Sequence, residues 1–206
     1  MTKKILVVDS SPRTASLSRK FTNDIAGKLA EQHNDAKITH RDLAAKPLPH
    51  LTDDVITAFY TRPEKRDDNL RNAIALSDAA IAELQAADVI VIGAPMWNFN
   101  IPSALKAWID HVVRSGVTFA YGAKGPEGLV KGKKAIVVVT SGGVYSTGPA
   151  QGMDFQATYL RSVLGFIGIT DVSFVRAEGV SMGDAAYTQA IASAEAQMTA
   201  ALQSAA

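Results

Sequence analysis

Five short segments along this chain, four of them apolar and the second, residues 37–42, less hydrophobic, predict the strands of one β-sheet. They occupy residues 4–9, 37–42, 88–93, 134–141 and 171–177. Runs such as KILVVD and KAIVVVTS are apolar without alternation and rich in β-branched residues, which is typical of strands buried on both faces. Segments with helical spacing separate them, as in Leu17, Phe21, Ile25 and Leu29. This order predicts an α/β fold, a five-stranded parallel sheet with helices on both faces.

The helices expected between these strands differ in how clearly the sequence marks them. Apolar spacing and candidate caps predict helices from residues 16–18 onward, over 53–60, around Leu70–Leu84, over 155–167 and over 184–203. Another helix carries Ile101, Leu105, Trp108, Ile109 and Val112 on one stripe, and Gly116 is its expected stop. Residues 118–131 contain Gly and Pro and predict an irregular excursion.

Length and composition favour one domain over residues 1–206 and exclude several classes of protein. With 206 residues and 47% hydrophobic content, the chain can build a core. The net charge of +1 gives no general reason to expect nucleic acid or an anionic membrane as partner. The absence of cysteine excludes disulfides, thiolate metal sites and a cysteine nucleophile. The short apolar run at residues 5–8 predicts a strand rather than a targeting segment, and we expect a cytoplasmic protein.

Three of the predicted strands end in loops whose composition suggests a binding site. The loops after Asp9, Gly93 and Ser141 are rich in Ser, Gly, Pro, Asn and aromatic residues. In open α/β sheets, ligands bind just beyond the carboxyl ends of the strands. The sequence therefore predicts where the site lies before any motif is assigned.

The first loop lacks the motifs of the common nucleotide-binding folds. It contains neither G-x-G-x-x-G nor G-K-[ST]. It does place serines, Ser10 and Ser16 among them, ahead of a predicted helix N-terminus. Hydroxyls, free N–H groups and the helix dipole suit a phosphate monoester. The serines could equally be helix caps alone, and this loop by itself does not decide between the two interpretations.

The second and third loops suit a flat ring. In GAPMWNFNIP, at residues 93–102, Met96, Trp97 and Phe99 are too apolar for a solvated loop, while Asn98 and Asn100 are too polar for a core. Such a mixture fits the faces and polar atoms of a heteroaromatic ring. Two glycines in TSGGVY, at residues 140–145, allow close backbone approach to a ligand. A phosphate at one end and a flat ring at the other describe FMN.

The same segments resemble a known family. VVDSSPRTASLS, the stretch from GAPMWNFNIP to TSGGVY, and TYLRSVLGFIGITDVSF are similar to the FMN-dependent NADH:azoreductases, which are flavodoxin-like, homodimeric quinone and azo-compound reductases. The resemblance covers residues 4–179 and is weaker between 42 and 68. Some relatives have an additional residue before the glycine pair and a histidine near Tyr145, so the role of Tyr145 stays open.

This resemblance implies a site, residue by residue. It implies one FMN per subunit at the interface of a homodimer, with Phe119 and Tyr121 covering the ring of the partner subunit. It implies a cofactor site made of Ser10, Ser16, Leu17, Ser18, Pro95, Met96, Trp97, Asn98, Phe99, Thr140, Ser141, Gly142, Gly143 and Tyr145.

The resulting hypothesis is an oxidoreductase that uses NADH or NADPH to reduce quinones, azo compounds or nitroaromatics. We expect ping-pong kinetics because donor and acceptor would use one site in turn, and we assign no catalytic acid, nucleophile or metal ligand. Two other classes compete. A flavodoxin-type electron carrier would lack turnover of its own, and such carriers are usually shorter and strongly acidic. A receiver-type signalling module would need clustered aspartates at strand ends, whereas the third strand ends in Gly-Ala-Pro-Met.

Overall fold

The structure, a computed structural model, describes residues 2–33, 35–123 and 125–205. Its strands are β1 (Lys4–Asp9), β2 (Lys37–Asp42), β3 (Val89–Pro95), β4 (Phe119–Gly122), β5 (Gly125–Gly128), β6 (Lys134–Ser141) and β7 (Asp171–Glu178). Its α-helices are α1 (Leu17–Gln32), α2 (Asp53–Tyr60), α3 (Asp68–Ala86), α4 (Ser103–Val112), α5 (Phe155–Phe166) and α6 (Asp184–Gln203). Short 3-10 helices lie at Pro63–Lys65 and Gln151–Met153.

The main sheet has five parallel strands in the order β2-β1-β3-β6-β7. The strand order reverses at β1 and β3, where the chain first crosses from one side of the sheet to the other. The predicted α/β fold with a five-stranded parallel sheet is confirmed, and this order is that of the flavodoxin-like fold. The register aligns Asp9 with Gly93 and Pro95 with Thr140, so the three predicted loops leave the same edge.

Helices cover both faces of this sheet, and alternate residues of the central strands β1, β3 and β6 supply the two cores. Ile5 and Val7 of β1 pack toward α1 and α6, whereas Leu6 and Val8 pack toward the opposite core. That opposite core contains α3, α4 and α5, with Trp108 of α4 only 1% exposed. Burial on both faces explains why the central strands β1, β3 and β6 read as apolar runs rather than alternating patterns.

Two predicted boundaries differ from the observed ones. The third strand runs to Pro95, and α4 ends at Val112 rather than near Gly116. The side chain of Thr118 provides the reason for the early helix end. Its hydroxyl accepts the N–H of Arg114 at 2.8 Å and donates to the carbonyl of Val112 at 2.7 Å, so it takes the hydrogen bonds that further helix would have made.

Residues 118–131, predicted as irregular, contain the antiparallel hairpin of β4 and β5. Gly128 packs so closely on the loop after α5 that an added Cβ would lie 2.2 Å from the backbone nitrogen of Gly168. The N–H of Val130 also donates to the carbonyl of Ile167 at 2.8 Å. A glycine at residue 128 is therefore required by this backbone contact, which fixes the hairpin against α5.

Candidate functional site

The three predicted loops meet at the carboxyl edge of the sheet and are hydrogen-bonded to one another. Ser10 joins the first loop to β3, because its hydroxyl donates to the carbonyl of Gly93 at 2.6 Å. The N–H of Met96 joins the second loop to the third by donating to the carbonyl of Thr140 at 2.8 Å. Sequence reasoning placed the site at this edge, and the structure brings the loops together there.

A cavity of about 450 Å³ opens between these loops. Its lining includes eight of the predicted site residues: Ser16, Leu17, Pro95, Met96, Trp97, Thr140, Ser141 and Gly142. The other lining residues were not predicted: Ser11, Arg13, Ala15, Val180, Ser181 and Tyr187. The last three follow β7, the fifth strand of the sheet. The rule that ligands lie beyond strand ends applies to that strand as well, although its flanking sequence carries no distinctive composition.

The first loop presents a helix N-terminus to this cavity. Ser16 is the N-cap of α1, and its hydroxyl oxygen accepts the N–H of Arg19 at 3.3 Å. The hydroxyl of Ser16 also pairs with that of buried Ser18 at 2.8 Å. The first turn of α1 holds no acidic residue, and its N–H groups lack intrahelical acceptors. An anion with several acceptor oxygens fits this end of the cavity.

Ser10, which the resemblance places at the phosphate, makes a hydrogen bond within the protein. Its side chain is 1% exposed, and its single hydroxyl hydrogen is donated to Gly93. A serine hydroxyl has one hydrogen to donate, so Ser10 cannot donate to a phosphate while this bond persists. In this geometry Ser10 supports the strand end beneath the site, and its contact with a ligand stays a prediction.

The second loop is a tight turn held in a strained conformation. Trp97 and Asn100 exchange backbone hydrogen bonds of 2.8 and 3.0 Å across it. Asn98 and Phe99 at its centre have φ values of 47° and 68°. Asparagine tolerates this left-handed region, whereas phenylalanine rarely adopts it. The turn leaves the rings of Trp97 and Phe99 half exposed, so it offers aromatic surface beside the cavity.

The third loop is fixed by the end of β7. The side-chain carboxylate of Glu178 accepts the N–H groups of Tyr145 and Ser146 at 3.0 and 2.9 Å. The carbonyl of Gly143 accepts the N–H of Gly179 at 2.9 Å. An added Cβ at Gly143 would meet the ring of Tyr145 at 3.3 Å. Gly143 and Tyr145 thus pack on each other near the cavity rather than lining it.

Phe119 and Tyr121 lie on the hairpin, away from this chain's own small cavity. Their rings pack edge to face with centroids 5.6 Å apart, and Phe119 also packs on Phe166 at 4.6 Å. Tyr121 is 73% exposed. The structure does not bring these side chains to the three loops of the same chain, so their role at a partner's site stays a prediction.

Beneath the first loop lies a set of charged groups that sequence reasoning did not identify. Burial raises the pKa of Asp9, although the hydroxyl of Thr22 donates to its carboxylate at 2.8 Å. An added Cβ at Gly93 would lie 2.9 Å from that carboxylate, which explains the glycine in β3. Nearby, the Arg19 guanidinium holds the pKa of Asp42 down to about 2.

A larger cavity of about 780 Å³ lies on the other side of the second loop. It shares Trp97 with the small cavity, and Ser10, Asn98 and Tyr159 are among its other lining residues. Burial raises the pKa of the Tyr159 hydroxyl. The Trp97 turn therefore separates two spaces and can contact ligands in both.

Within residues 2–33, 35–123 and 125–205, no group of three or more His, Cys, Asp or Glu side chains could hold a metal ion. In those same ranges, no helix is long and apolar enough to cross a bilayer.

Comparison with known proteins assigns the class that this fold and site define. A model of the family described as having a flavodoxin-like fold matches residues 3–202, and the chain belongs to this family. The chain is 54% identical to an FMN-dependent NADH:quinone oxidoreductase of Herminiimonas arsenicoxydans over 190 residues, 92% of this chain and 93% of that protein.

Solved structures give the same assignment. An azoreductase of Bacillus anthracis strain Sterne is 30% identical, with a TM-score of 0.90 over 98% of this chain and all of that one. An FMN-dependent NADH-azoreductase of Bacillus anthracis strain Ames Ancestor, solved in complex with FMN, is 26% identical, with a TM-score of 0.89 and full coverage of both chains. The resemblance to the FMN-dependent azoreductases seen in the sequence is confirmed.

Proposed function

We propose that this protein is an FMN-dependent NADH:quinone oxidoreductase that also cleaves aromatic azo compounds. The observation that carries the proposal is the single cavity onto which a helix N-terminus, an aromatic turn and a glycine-containing loop all open. The names of the similar proteins support it, since they describe FMN-dependent NADH:quinone oxidoreductases and azoreductases.

The residues of the cavity fit FMN part by part. Ser16, Leu17 and Ser18 at the start of α1 would hold the phosphate, and Arg13 at the cavity wall adds positive charge. The aromatic rings of Trp97 and Phe99, with the backbone of residues 96–99, would lie along the flavin ring, because this turn borders the cavity. Residues 140–143 and Tyr145 would face its polar edge. Bound FMN supplies two-electron hydride chemistry.

The chain's own residues bind, orient and exclude water. Among the described residues, the cavity lining includes no carboxylate, so none of them would repel negative charge on a bound flavin. In the strained turn, the N–H groups of Met96, Trp97 and Asn100 are already donated to backbone carbonyls, so stabilisation of that charge would come from the N–H groups of Asn98 and Phe99 at its centre. No side chain is assigned a role as catalytic acid or nucleophile. Donor and acceptor would contact the same exposed face in turn.

The wider setting is part of the same proposal. Residues 1–206 form one flavodoxin-like domain that assembles as a homodimer, with one FMN per subunit at the interface. Phe119 and Tyr121 of the fixed hairpin would then cover the partner's flavin. We place the enzyme in the cytoplasm, where NADH or NADPH is available, with quinone, azo or nitroaromatic acceptors and neither nucleic acid nor membrane as partner.

The first experiment is to record the visible spectrum of the purified protein and identify any flavin released on denaturation. We expect flavin bands, release of FMN, and rapid NADH oxidation when a quinone is added. Initial-rate plots should be parallel, since ping-pong turnover gives parallel lines. A protein that stays colourless after incubation with FMN would contradict the proposal. Bound FMN without direct NADH:quinone turnover would favour the flavodoxin-type electron carrier.

A pair of glycine variants tests the site assignment within that experiment. Gly143→Val would crowd Tyr145 and the expected ring edge, so FMN affinity should fall by about tenfold or more. Gly152→Val is the control, because an added Cβ there meets nothing within 4 Å. Equal FMN affinity in the two variants would show that the third loop is assigned wrongly.

A further inference from the structure

The backbone carbonyl of Ser11 is held by a charged side chain from behind the cavity. The Arg19 guanidinium donates to it twice, from Nε at 3.1 Å and from Nη2 at 2.7 Å. These two charge-assisted bonds occupy both lone pairs of the carbonyl oxygen. Because Pro12 follows Ser11, the peptide unit between them has no N–H to offer an anion.

The guanidinium is itself fixed by a second, bidentate contact. Nη1 and Nη2 of Arg19 donate to the two carboxylate oxygens of Asp42 at 2.8 and 2.7 Å. Asp42 is the last residue of β2, and its carboxylate also accepts the N–H groups of Ala44 and Ala45 at 3.0 and 3.1 Å. The side chain of Arg19 is 17% exposed. A fork held on both sides in this way has little freedom to reorient.

This pair acts on the loop without touching the site. Neither Arg19 nor Asp42 is among the described residues that line the small cavity, whereas Ser11, Arg13 and Ser16 are. The formal charges of Arg19 and Asp42 cancel, so the pair adds no net charge near the phosphate. An unrestrained Ser11 carbonyl could turn toward the cavity, where its negative end would repel an anion.

From these contacts we propose that Arg19 and Asp42 are positioning residues that make the site selective for the phosphorylated flavin. They hold the carbonyl of Ser11 away from the phosphate end and keep the loop from Ser11 to Ser16 in its anion-binding form. This inference rests on the proposed function, because it assigns the phosphate of FMN to that loop. The flavin ring would bind elsewhere, at the second and third loops, so its binding does not depend on the Arg19–Asp42 pair.

The test compares FMN with riboflavin, which lacks the phosphate, by titrating the flavin-free protein and following flavin fluorescence. Arg19→Lys keeps the positive charge and removes the guanidinium group, whose several N–H donors bind Ser11 and Asp42 together. Asp42→Asn keeps the size of the side chain and removes the carboxylate that accepts two hydrogen bonds from Arg19. We expect both variants to bind FMN about tenfold more weakly or worse, and to bind riboflavin within about twofold of the parent protein. Riboflavin binding thereby also reports that each variant is folded.

Arg41→Lys is the matched control. Arg41 is the neighbour of Asp42 in β2, and its guanidinium makes a similar two-pronged contact with Glu83, away from the cavity. Its side chain is 20% exposed, close to the value for Arg19. We expect parental affinity for both flavins in this variant, because it disturbs an ion pair of the same kind that does not hold the loop.

Three results would overturn the inference. FMN affinity of Arg19→Lys within twofold of the parent would show that the Arg19–Asp42 pair is not needed for FMN binding. A parallel loss of FMN and riboflavin affinity would show that the pair does not act on the phosphate selectively. Tighter FMN binding by Asp42→Asn would show that the charge of Arg19 attracts the phosphate directly and that its geometry is secondary. A parent protein that binds no FMN would instead refute the proposed function, so the two failures are distinct.

Discussion

Some side chains at the strand ends make hydrogen bonds that their residue type alone does not predict. Asp42 is the last residue of the segment KITHRD, at the end of an edge strand, where an aspartate is usually a solvated surface group. In the folded chain it receives Arg19 and two backbone N–H groups. Its pKa therefore falls from 3.8 to about 2, chiefly through the hydrogen bond from Arg19.

This shift predicts a specific dependence of stability on pH. The folded pKa lies below the unfolded one, so the stabilisation by Asp42 is complete above about pH 4 and is lost as the pH falls toward 2. Its side chain is 37% exposed, and after allowance for solvent screening we expect Asp42→Asn to lower the free energy of unfolding at pH 7 by about 1 kcal/mol. Urea unfolding at pH 7, 4 and 2.5 measures this, and the difference from the parent should shrink at the lowest pH.

Asp24→Asn is the control for that series. Asp24 pairs with Lys20 on the exposed face of α1, and surface pairs of this kind contribute about 0.5 kcal/mol or less. A parent-to-variant difference for Asp42→Asn that stays constant from pH 7 to pH 2.5 would contradict the assignment of the shift to the folded state.

At the scale of elements, the hairpin β4–β5 depends on one close backbone contact. The second strand, GPEG, has low strand propensity, and an isolated two-stranded hairpin is marginally stable. Packing on the end of α5 supplies the missing stabilisation, through Phe119 on Phe166 and Gly128 on Gly168. The local sequence pattern therefore predicts only an excursion here, and the tertiary contact with α5 is what stabilises the antiparallel strand pair.

Gly128→Ala should break that contact. Its Cβ would overlap the backbone at Gly168, which cannot move as a side chain would, so we expect a loss of about 1–3 kcal/mol in the free energy of unfolding. Urea denaturation followed by circular dichroism measures this loss.

Gly122→Ala in the same hairpin is the matched control. Its added Cβ would lie 3.8 Å from the carbonyl oxygen of Gly125, an ordinary contact, and we expect a change within about 0.5 kcal/mol in the free energy of unfolding. Equal stability of the two variants would show that the hairpin is not fixed by Gly128.

At the scale of the whole molecule, one sheet joins two hydrophobic cores. Each central strand contributes alternate residues to both, as Ile90 and Val91 of β3 do on opposite sides. Loss of either core would expose one face of the same strands, so the two cannot unfold independently at low cost. This shared sheet is the physical basis for proposing one domain over residues 1–206.

The proposed single domain predicts one cooperative unfolding transition. Trp108 of α4 is buried in the core, whereas Trp97 in the second loop is 49% exposed. In a Trp97→Phe variant, fluorescence reports Trp108 alone, and circular dichroism reports helices on both faces. The two urea transitions should coincide when measured at one protein concentration, since assembly would shift both. A fluorescence transition separated from the circular dichroism transition would contradict the single domain.

The sequence by itself determines the sheet, its layers and the edge where ligands bind. Hydrophobic runs and helical spacing are local signals, and parallel strands necessarily place their carboxyl ends together, so the loops after Asp9, Gly93 and Ser141 could be identified without coordinates. The Ser16 cap and the buried stripe of α4 were predictable for the same reason.

Only the tertiary structure decides which atoms of those loops are free to bind. The Ser10 hydroxyl donates to Gly93, and the Arg19 guanidinium donates to Ser11 and Asp42. Residues that follow β7 complete the lining of the cavity. These contacts join residues far apart in the chain, and hydrogen-bond direction depends on their relative placement to within a fraction of an ångström. No local pattern encodes that placement, because it results from packing the two cores against one sheet.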